Sequence, residues 1–498
     1  EGKHIGYHKK LDANIYVTWG NYYFSALGVF LSDFTDDIYL KTAISRLTFA
    51  VFGFFGMIIL CLAFKDFFSR NSFKLFIAFF IFMELFSVSL VLHMREARYF
   101  SLVIFLTACF FYIYMNYFIN GKFSGKKYYI LMTLLLVFTY HINFITFGIF
   151  SVVLAFNRGW VFLMNLYKTP RDFKNLFISV LKESVPLVIS VILITPFIIF
   201  FETFKTSNAI SEYTKFTYET YKTNIGAILK YLTELEFFYI VLGIKAAVII
   251  AWYIFKSQLT AKKPSNDITA LNKLRKISFL LSSFFILYSL IIARTPYLFV
   301  RHYIVLQPVM VLLMVLDSFI ILYFINFFVA RKSQLIYKMG FIVLAAVFFI
   351  RNVKDKMPYI TGHIYEITHQ YKGPLDYVIP YIQENYKNTD TLTIATNYEE
   401  VSYMYYLNSK VIIGYIANNL EEDSKLTPDI IMFRKSWGTN PKVFNDFLQR
   451  AKYERISFPV ADYPVNNIPE LDFVIKHLFK TKLAMNEQEK TDIMVKVK

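Results

Sequence analysis

The sequence HMREARY at His93–Tyr99 lies between two long apolar runs, Leu75–Leu92 and Phe100–Phe118. An apolar run of about 20 residues has the length that crosses a lipid bilayer as a helix. Charged side chains between two such runs must lie where the chain leaves the membrane, because an ionised group is costly in the hydrocarbon interior. This stretch therefore predicts membrane-spanning helices joined by a short charged loop at one membrane surface.

The composition of the whole chain agrees with a membrane protein. Of its 498 residues, 56% are hydrophobic and 18% are charged, against about 45–50% and about 25% in soluble domains. The net charge of +17 would suggest a nucleic-acid partner in a soluble chain. In a membrane protein, basic residues retained in cytoplasmic loops explain the same excess, so we expect no nucleic-acid partner. The fold class is therefore a polytopic α-helical membrane protein.

The apolar runs predict about ten crossings. The run over 128–157 is too long for one straight span and is interrupted near His141 and Asn143, so it predicts two short helices that meet at His141. The predicted spans are 42–64, 75–92, 99–118, the two halves of 128–157, 183–202, 237–255, 277–293, 303–330 and 335–351.

The lysines and arginines of the loops predict the orientation. Twenty of them fall in one set of alternating loops and eight in the other, and the richer set is cytoplasmic by the positive-inside rule. The loops at 93–99, 203–232 and 294–302 and both chain ends then lie outside. Since Glu1 is outside and is not a methionine, we also expect one further span before it.

The last part of the chain predicts a small soluble α/β domain on the outer side. Short apolar runs at Thr391–Ala395, Val411–Gly414 and Asp429–Phe433 have the pattern of buried strands, and Glu399–Leu407 and Pro441–Ala451 have that of intervening helices. Alternating strands and helices favour a small parallel sheet. The absence of a glycine-rich phosphate loop makes a lid or docking role the simpler interpretation. The predicted domains are 1–41 (first external loop with an interfacial helix), 42–351 (transmembrane bundle) and 352–498 (α/β domain).

Four arginines in the outer loops run against the orientation rule. Arg95 and Arg98 are three residues apart and would share a face of a helix, and Arg294 and Arg301 repeat the theme in a second outer loop. Guanidinium groups match phosphate oxygens through two parallel hydrogen bonds. The pattern predicts a phosphate site at the outer surface; the alternative is that these arginines pair with Glu96, lipid headgroups or helix ends.

Several polar residues also lie within or at the tips of the predicted spans. Glu84, Lys245 and Asp317 fall inside spans, where ionisable groups usually face the bundle interior, and we expect structural pairing, with Glu84 and Lys245 as one candidate pair. His141 and Asn143 lie at the outer tip of the broken helix pair. A histidine there is suited to phosphate, to a metal or to a hydrogen bond at the helix end.

Four short stretches together resemble the GT-C glycosyltransferase superfamily. The run REARYFSL at Arg95–Leu102 is similar to the start of the third helix of that superfamily, and Arg301-His302-Tyr303 followed by Pro308 is similar to the start of one of its late helices. Ser45-Arg46-Leu47 with Gly53 is similar to the start of its second helix, although Phe49 replaces a serine of that pattern. Tyr140-His141 is similar to its aromatic-histidine turn. They cover roughly residues 1–330. The branch they resemble most is that of bacterial relatives of protein O-mannosyltransferases and aminoarabinose lipid A transferases.

The resemblance implies an enzyme that moves a sugar from a polyprenyl-phosphate carrier to an acceptor at the outer face, with inversion at the sugar. It implies an Asp, often Asp-Glu, in the first external loop as the base. Glu1 would be the Glu of that pair, with the Asp just before it, while Asp12 and the external Glu202 are further candidates. The residues expected to bind the donor phosphate are Arg95, Arg98, Tyr99, Arg294, Arg301, His302 and His141. No cofactor is certain, and a divalent metal in place of one arginine, with His141 or Glu202 as ligand, is left open.

Two other functional classes stay open at this point. A transporter or flippase of lipid-linked glycans needs no base but often has inverted repeats, and no convincing repeat is found. An O-antigen polymerase or ligase also carries arginines in outer loops. For the transferase, the expected location is the cell (inner) membrane, with the C-terminal domain on the periplasmic side. Lipid A, another lipid, a surface glycan and a protein all remain as acceptors.

Overall fold

The computed structural model shows a bundle of long helices followed by a small mixed sheet. The residues that it describes are 7–8, 13–14, 19–200, 217–261, 266–295, 298, 300–328, 334–348, 350, 357, 361, 364, 373–397, 399–413, 420–434, 441–462 and 490–497.

The helices of the bundle are numbered in chain order, and five short 3₁₀ or π turns interrupt or join them. The helices are α1 Trp19–Ser32, α2 Ile38–Ala63, α3 Arg70–Leu85, α4 Val88–Met94, α5 Phe100–Tyr114, α6 Gly125–Ile142, α7 Phe144–Lys168, α8 Phe173–Phe200, α9 Tyr218–Lys230, α10 Phe238–Ala261, α11 Asn266–Ile292, α12 Leu306–Phe328 and α13 Gln334–Phe348. The turns are Lys65–Phe67, Met115–Ile119, Pro170–Asp172, Tyr231–Leu235 and Val300–Tyr303.

Seven of the helical segments in the described part of the chain are long and apolar enough to cross a membrane. They belong to α2, α5, α7, α8, α10, α11 and α12. The helices α3 and α13 are shorter, with 16 and 15 residues, and α6 carries Lys126 and Lys127 in its first turn. The chain is thus a mostly helical protein with several candidate membrane spans.

Polar side chains define where several helices begin. Ser69, Ser87, Ser124, Asn143 and Thr217 each accept a hydrogen bond from the backbone N–H three residues later. Such a cap satisfies one of the donors that a helix leaves unbonded in its first turn, and each is worth about 1 kcal/mol. The caps therefore fix the residues at which these helices begin.

The most buried helix of the bundle is α12, which packs against α3, α10, α11 and α13, while α2 and α5 pack against each other. In α12, 83% of the spanning segment is buried, against 11% in α10, which places α10 at the periphery. The helices α2 and α5 touch through glycine, since a Cβ on Gly56 would lie 2.8 Å from the Cα of Phe105. Gly53 lies in the same way against Ser101. Because the contacts advance together along both helices, α2 and α5 run in the same direction.

The predicted helix break near His141 is found, but the neighbouring loop prediction is wrong. Asn143 alone separates α6 from α7. The segment 158–182 was expected to be a loop, yet α7 continues to Lys168 and α8 begins at Phe173. The reason is that Arg158 has partners within the bundle: its Nε donates to Glu183 Oε2 of α8 at 2.7 Å, and its guanidinium lies over the ring of Phe118. This partly buried ion pair lets both helices extend through charged positions.

The C-terminal domain is a five-stranded mixed sheet with helices beside it. The three parallel strands that the sequence predicts are found, in the order β4 (Lys410–Ile413), β3 (Thr393–Thr396) and β5 (Ile430–Met432), and β7 (Lys490–Lys496) pairs antiparallel with β5 and with β6 (Tyr453–Ala461). The last two strands were not predicted. The elements are β3 Thr393–Thr396, β4 Lys410–Ile413, β5 Ile430–Met432, β6 Tyr453–Ala461 and β7 Lys490–Lys496, with helices α14 Leu375–Asn385, α15 Glu400–Leu407, α16 Leu420–Asp423 and α17 Pro441–Arg450; β1 Tyr7–His8 and β2 Ala13–Asn14 form a separate hairpin.

One contact shows at which end of the bundle this domain lies. The hydroxyls of Thr42, in the first turns of α2, and Tyr406 of α15 are 2.8 Å apart. Thr42 precedes Gly53 by eleven residues, a rise of about 16 Å along a helix. Because Gly53 packs beside Ser101 and the two helices are parallel, the domain lies beyond the end of the bundle where α5 begins.

Candidate functional site

Two turns that are distant in sequence meet at this end of the bundle. Residues 95–99 link α4 to α5, and Val300–Tyr303 precedes α12. The ring of His302 lies 5.9 Å from that of Phe100, and the backbone carbonyl of His302 accepts a hydrogen bond of 2.9 Å from the Tyr288 hydroxyl. The contact between Phe100 and His302 brings together the two loops that the sequence singled out for their arginines.

Glu96 is the acidic residue of the cluster. Its Oε1 lies 3.0 Å from Nδ1 of His93, which is fully buried. Burial by itself would raise the pKa of Glu96, but the His93 hydrogen bond and the charges of His93, Arg98 and Arg301 outweigh it and lower that pKa. A carboxylate held ionised in this way is a weak proton acceptor. Glu96 therefore fits a positioning role better than that of a base.

Arg98 and Arg301 bring two positive charges to the cluster. Both act electrostatically on Glu96 and on the phenol of Tyr99. Arg98 is exposed on the loop. Burial raises the pKa of Tyr99 to about 12, although Arg301 and Arg98 act in the opposite direction. Tyr99 is thus a neutral hydroxyl donor at physiological pH, and the arrangement suits an anion.

The two arginines of the first loop do not form a helical pair. The helix α4 ends at Met94, and Arg95 is its C-cap, with a backbone N–H that donates to the carbonyl of His93. Residues 95–99 form a turn before α5 begins at Phe100. The expectation that Arg95 and Arg98 share a helix face is therefore wrong, because the helix ends before the first of them.

The other predicted phosphate ligands have different surroundings. Arg294 is exposed just after α11, and in the described ranges no hydrogen bond or ion pair links it to Glu96 or Arg98. The ring of His141 packs edge-on against Tyr140 and Phe197, with centroids 5.3 and 4.7 Å away. Asn143, two residues after His141, belongs to the cluster instead, because its side chain hydrogen-bonds the Tyr99 phenol.

The predicted bases cannot be placed in this geometry. Glu1, Asp12 and Glu202 lie outside the described residues. Within the ranges that are described, no group of three or more His, Cys, Asp and Glu side chains is arranged to hold a metal ion. A metal bound by His141 or Glu202 therefore stays a prediction.

The intramembrane charges pair differently from the sequence prediction. Lys245 of α10 lies 2.6 Å from Asp317 Oδ2 of α12, and the Ser278 hydroxyl bridges the two residues, with distances of 2.6 and 2.7 Å. The expected pair of Glu84 with Lys245 is wrong, because α10 packs on the face of α12 that carries Asp317. Glu84 lies elsewhere, beside Glu236 and Gln307.

Sequence reasoning missed three residues that the structure makes prominent. His93 was quoted but given no role, and Glu236 and Gln307 were not considered. Each is a polar residue within a few positions of an apolar run. The one available signal was that Glu236 stands directly before the apolar run that becomes α10.

Comparisons with known proteins give no family for this chain. No family model, no curated protein and no solved structure matches it.

Proposed function

We propose that the protein is a membrane glycosyltransferase of the GT-C type, which transfers a sugar from a polyprenyl-phosphate donor to an acceptor outside the cytoplasm. The observation that carries the proposal is the convergence of Arg98, Tyr99 and Arg301 from two outer loops. Both guanidinium groups act on the carboxylate of Glu96 and on the Tyr99 phenol, so they lie close to one another. Two guanidinium groups and a hydroxyl donor match the oxygen atoms of a donor phosphate.

The chemistry of the proposed reaction explains why cations are needed at this point. The acceptor hydroxyl oxygen attacks the anomeric carbon, and the bond from that carbon to the phosphate oxygen breaks. The electron pair of the broken bond goes to the departing phosphate, and the acceptor proton goes to a carboxylate base. Charge thus develops on the phosphate in the transition state, where fixed guanidinium donors stabilise it more than in the ground state.

The residues have separate roles in this proposal. Arg98 and Arg301 bind the donor phosphate, and the neutral Tyr99 hydroxyl donates to it. Glu96 and His93 hold the two arginines in place. Since Glu96 is kept ionised by its neighbours, the base is a carboxylate outside the described ranges, with Glu1, Asp12 and Glu202 as candidates.

The orientation of the chain forms part of the same proposal. Adding α3, α6 and α13 to the seven long apolar helices gives ten crossings, and the loop charges then put the arginine cluster on the periplasmic side of the cell membrane. The C-terminal domain lies at that end of the bundle through Tyr406 and Thr42. Donor, acceptor and domain would meet outside the cytoplasm.

The Arg98→Ala variant tests the proposal without a large effect on folding, because Arg98 is exposed. A hydrogen bond to a charged group is worth about 1.5–3 kcal/mol, so turnover of a polyprenyl-phosphate sugar in membrane vesicles should fall between about tenfold and about 150-fold. Arg171→Ala is the matched control, since Arg171 is an exposed arginine in the turn between α7 and α8.

Native mass spectrometry of the same proteins identifies the donor. Wild type and Arg171→Ala should retain a co-purified polyprenyl-phosphate lipid that Arg98→Ala loses. Equal turnover and equal lipid retention in all three proteins would remove the arginine cluster from the site. Lipid binding without sugar transfer would favour a flippase of lipid-linked glycans.

A further inference from the structure

The outer loop 294–302 is attached near both of its ends to neighbouring helices. It follows α11, and its last part belongs to the turn Val300–Tyr303, which carries Arg301. Asn224 of α9 bonds the beginning of this loop, and Tyr288 of α11 bonds its end. Neither side chain is among the proposed phosphate ligands, so both ask for an explanation of their own.

Asn224 joins the start of the loop to α9. Its Nδ2 donates to the backbone carbonyls of Ala293 and Thr295, both at 2.9 Å. An amide nitrogen carries two N–H groups and can serve two acceptors, whereas a hydroxyl has a single O–H to donate. Ala293 directly follows the last residue of α11, where backbone carbonyls lack a partner within the helix. Asn224 is 8% exposed, so little water reaches these bonds.

Tyr288 holds the end of the loop. Its hydroxyl donates to the backbone carbonyl of His302 at 2.9 Å, and the residue is 2% exposed. Its ring packs against that of Phe284 with centroids 5.6 Å apart, and Phe284 packs in turn against Phe111 of α5 at 5.0 Å. A ring enclosed by close-packed neighbours keeps its hydroxyl at one place. Tyr288 is therefore a fixed donor for the His302 carbonyl.

Ring contacts add to these two attachments. The ring of Tyr303 packs edge-on against that of Tyr231, in the turn that follows α9, with centroids 4.9 Å apart. The ring of His302 lies 5.9 Å from that of Phe100. Arg301 directly precedes His302, so its side chain starts from a backbone position that the neighbouring helices define.

We propose that Asn224 and Tyr288 are positioning residues for the donor phosphate, and that they act through Arg301. The inference rests on the function proposed above. A guanidinium group matches phosphate oxygens only in a defined orientation, and it stabilises a transition state best when it is already in place. A misplacement of about 1 Å can cost about a hundredfold in rate. A loop that carries such a group therefore benefits from attachment to two helices.

A structural role alone makes a different prediction. It would lower the stability of the bundle and leave the rate of each folded molecule unchanged. A positioning role lowers the rate of the folded protein, and this effect disappears once the positioned side chain is absent. A double-mutant cycle with Arg301 separates the two roles, because residues that act through one another are not additive.

Turnover of a polyprenyl-phosphate sugar by the full chain in membrane vesicles provides the cycle. Tyr288→Phe removes only the hydroxyl and should lower kcat by at least about fivefold and by up to about a hundredfold. In the Arg301→Ala background, adding Tyr288→Phe should change turnover by less than about twofold. Asn224→Ala should behave in the same way in both backgrounds.

Two neighbouring residues supply matched controls. The Ser289 hydroxyl, beside Tyr288, bonds the carbonyl of Phe285 within α11 at 2.8 Å. Thr223, beside Asn224, is exposed on α9. Ser289→Ala and Thr223→Ala should both keep the turnover of wild type, because neither removes a bond to the loop.

Hydrogen exchange with mass spectrometry gives a second readout, which needs no substrate. In Tyr288→Phe, peptides over 300–307 should exchange between about twofold and about tenfold faster than in wild type, as the loss of one hydrogen bond predicts. Ser289→Ala should leave the exchange of these peptides unchanged.

The outcomes distinguish this inference from the transfer reaction itself. Full turnover in Arg301→Ala would remove the phosphate site, and the positioning roles with it. Low turnover in Arg301→Ala, together with wild-type turnover in Tyr288→Phe and Asn224→Ala, would overturn the positioning roles alone. The same fold loss from Tyr288→Phe in both backgrounds, or unchanged exchange over 300–307, would also overturn them.

Discussion

Replacing Arg434 with Met should unfold the edge of the C-terminal sheet where β3 and β5 end. Arg434 follows β5 and is only 1% exposed. Its guanidinium donates to the carboxylates of Asp462 and Glu399, and its backbone N–H and carbonyl bond the side chain of Asn397 at 2.8 and 3.0 Å. One residue thus ties together the segments that follow β3, β5 and β6.

The size of the effect follows from what the substitution leaves behind. Methionine fills much of the volume but leaves two buried carboxylates, 12% and 5% exposed, without their cation. Breaking a buried ion pair from one side costs about 3–5 kcal/mol. At about 1.4 kcal/mol for each factor of ten, hydrogen exchange of the β3 amides should accelerate between about a hundredfold and several thousandfold.

The assay is hydrogen exchange with mass spectrometry on the full chain, comparing peptides that cover Ile394–Thr396. Arg455→Met is the matched control, because Arg455 pairs with Asp492 but is 51% exposed. An exposed pair is worth about 0–1 kcal/mol, so its exchange should change by less than about tenfold. Adding Glu399→Gln to Arg434→Met should recover part of the protection. Equal exchange in Arg434→Met and Arg455→Met would refute the reasoning.

Three further predictions concern the bundle and its outer loop. Gly56→Ala should lower the free energy of unfolding by about 1–3 kcal/mol, because the added Cβ would lie 2.8 Å from the Phe105 backbone. The control Gly148→Ala should be neutral or stabilising, because no neighbouring atom lies within 4 Å of the added Cβ. Equal melting temperatures for the two variants would contradict this. Lys245→Met should lower the free energy of unfolding by about 3–5 kcal/mol, because it leaves the buried carboxylate of Asp317 without its cation. Adding Asp317→Asn removes that charge and should restore the melting temperature. A double variant that melts as low as Lys245→Met would count against the pair. Because the pKa of Glu96 is lowered in the folded protein, its contribution to folding stability is complete above the unfolded pKa of about 4.3 and is lost as the pH falls through the folded pKa. The difference in unfolding free energy between wild type and Glu96→Gln should therefore shrink below about pH 4.5. A difference that stays constant with pH would argue against the charge network.

The sequence predicts elements well where one local rule dominates. The break at Asn143 was visible because a polar pair interrupts an apolar run, and the structure shows that this residue caps both helices. The strands β3, β4 and β5 were visible as short apolar runs. In contrast, β6 and β7 alternate polar and apolar residues and pair with each other across a gap of 28 residues between Ala461 and Lys490, so no local pattern indicates the partner.

Side-chain partners were predicted less well than helices. The choice of Asp317 rather than Glu84 as the partner of Lys245 depends on which helices touch and on how they are rotated. The hydropathy pattern indicates neither which helices are in contact nor how each helix is rotated about its axis. The sequence suggested that Arg98 and Arg301 lie near each other, because the loop charges predict the same side of the membrane for both. The end of α4 at Arg95 and the contacts of His93 and Asn143 depend on where a helix ends to within one residue, which the sequence does not show.

The single-residue corner between α6 and α7 limits how the bundle moves. Asn143 has an extended backbone, its N–H bonds the Thr139 carbonyl of α6, and its Oδ1 accepts from the Thr146 N–H of α7 at 2.9 Å. No slack chain joins the two helices, so neither slides against the other without unwinding a turn. We therefore expect α6 and α7 to move as one unit, and any displacement of Asn143 from the Tyr99 phenol to involve both helices.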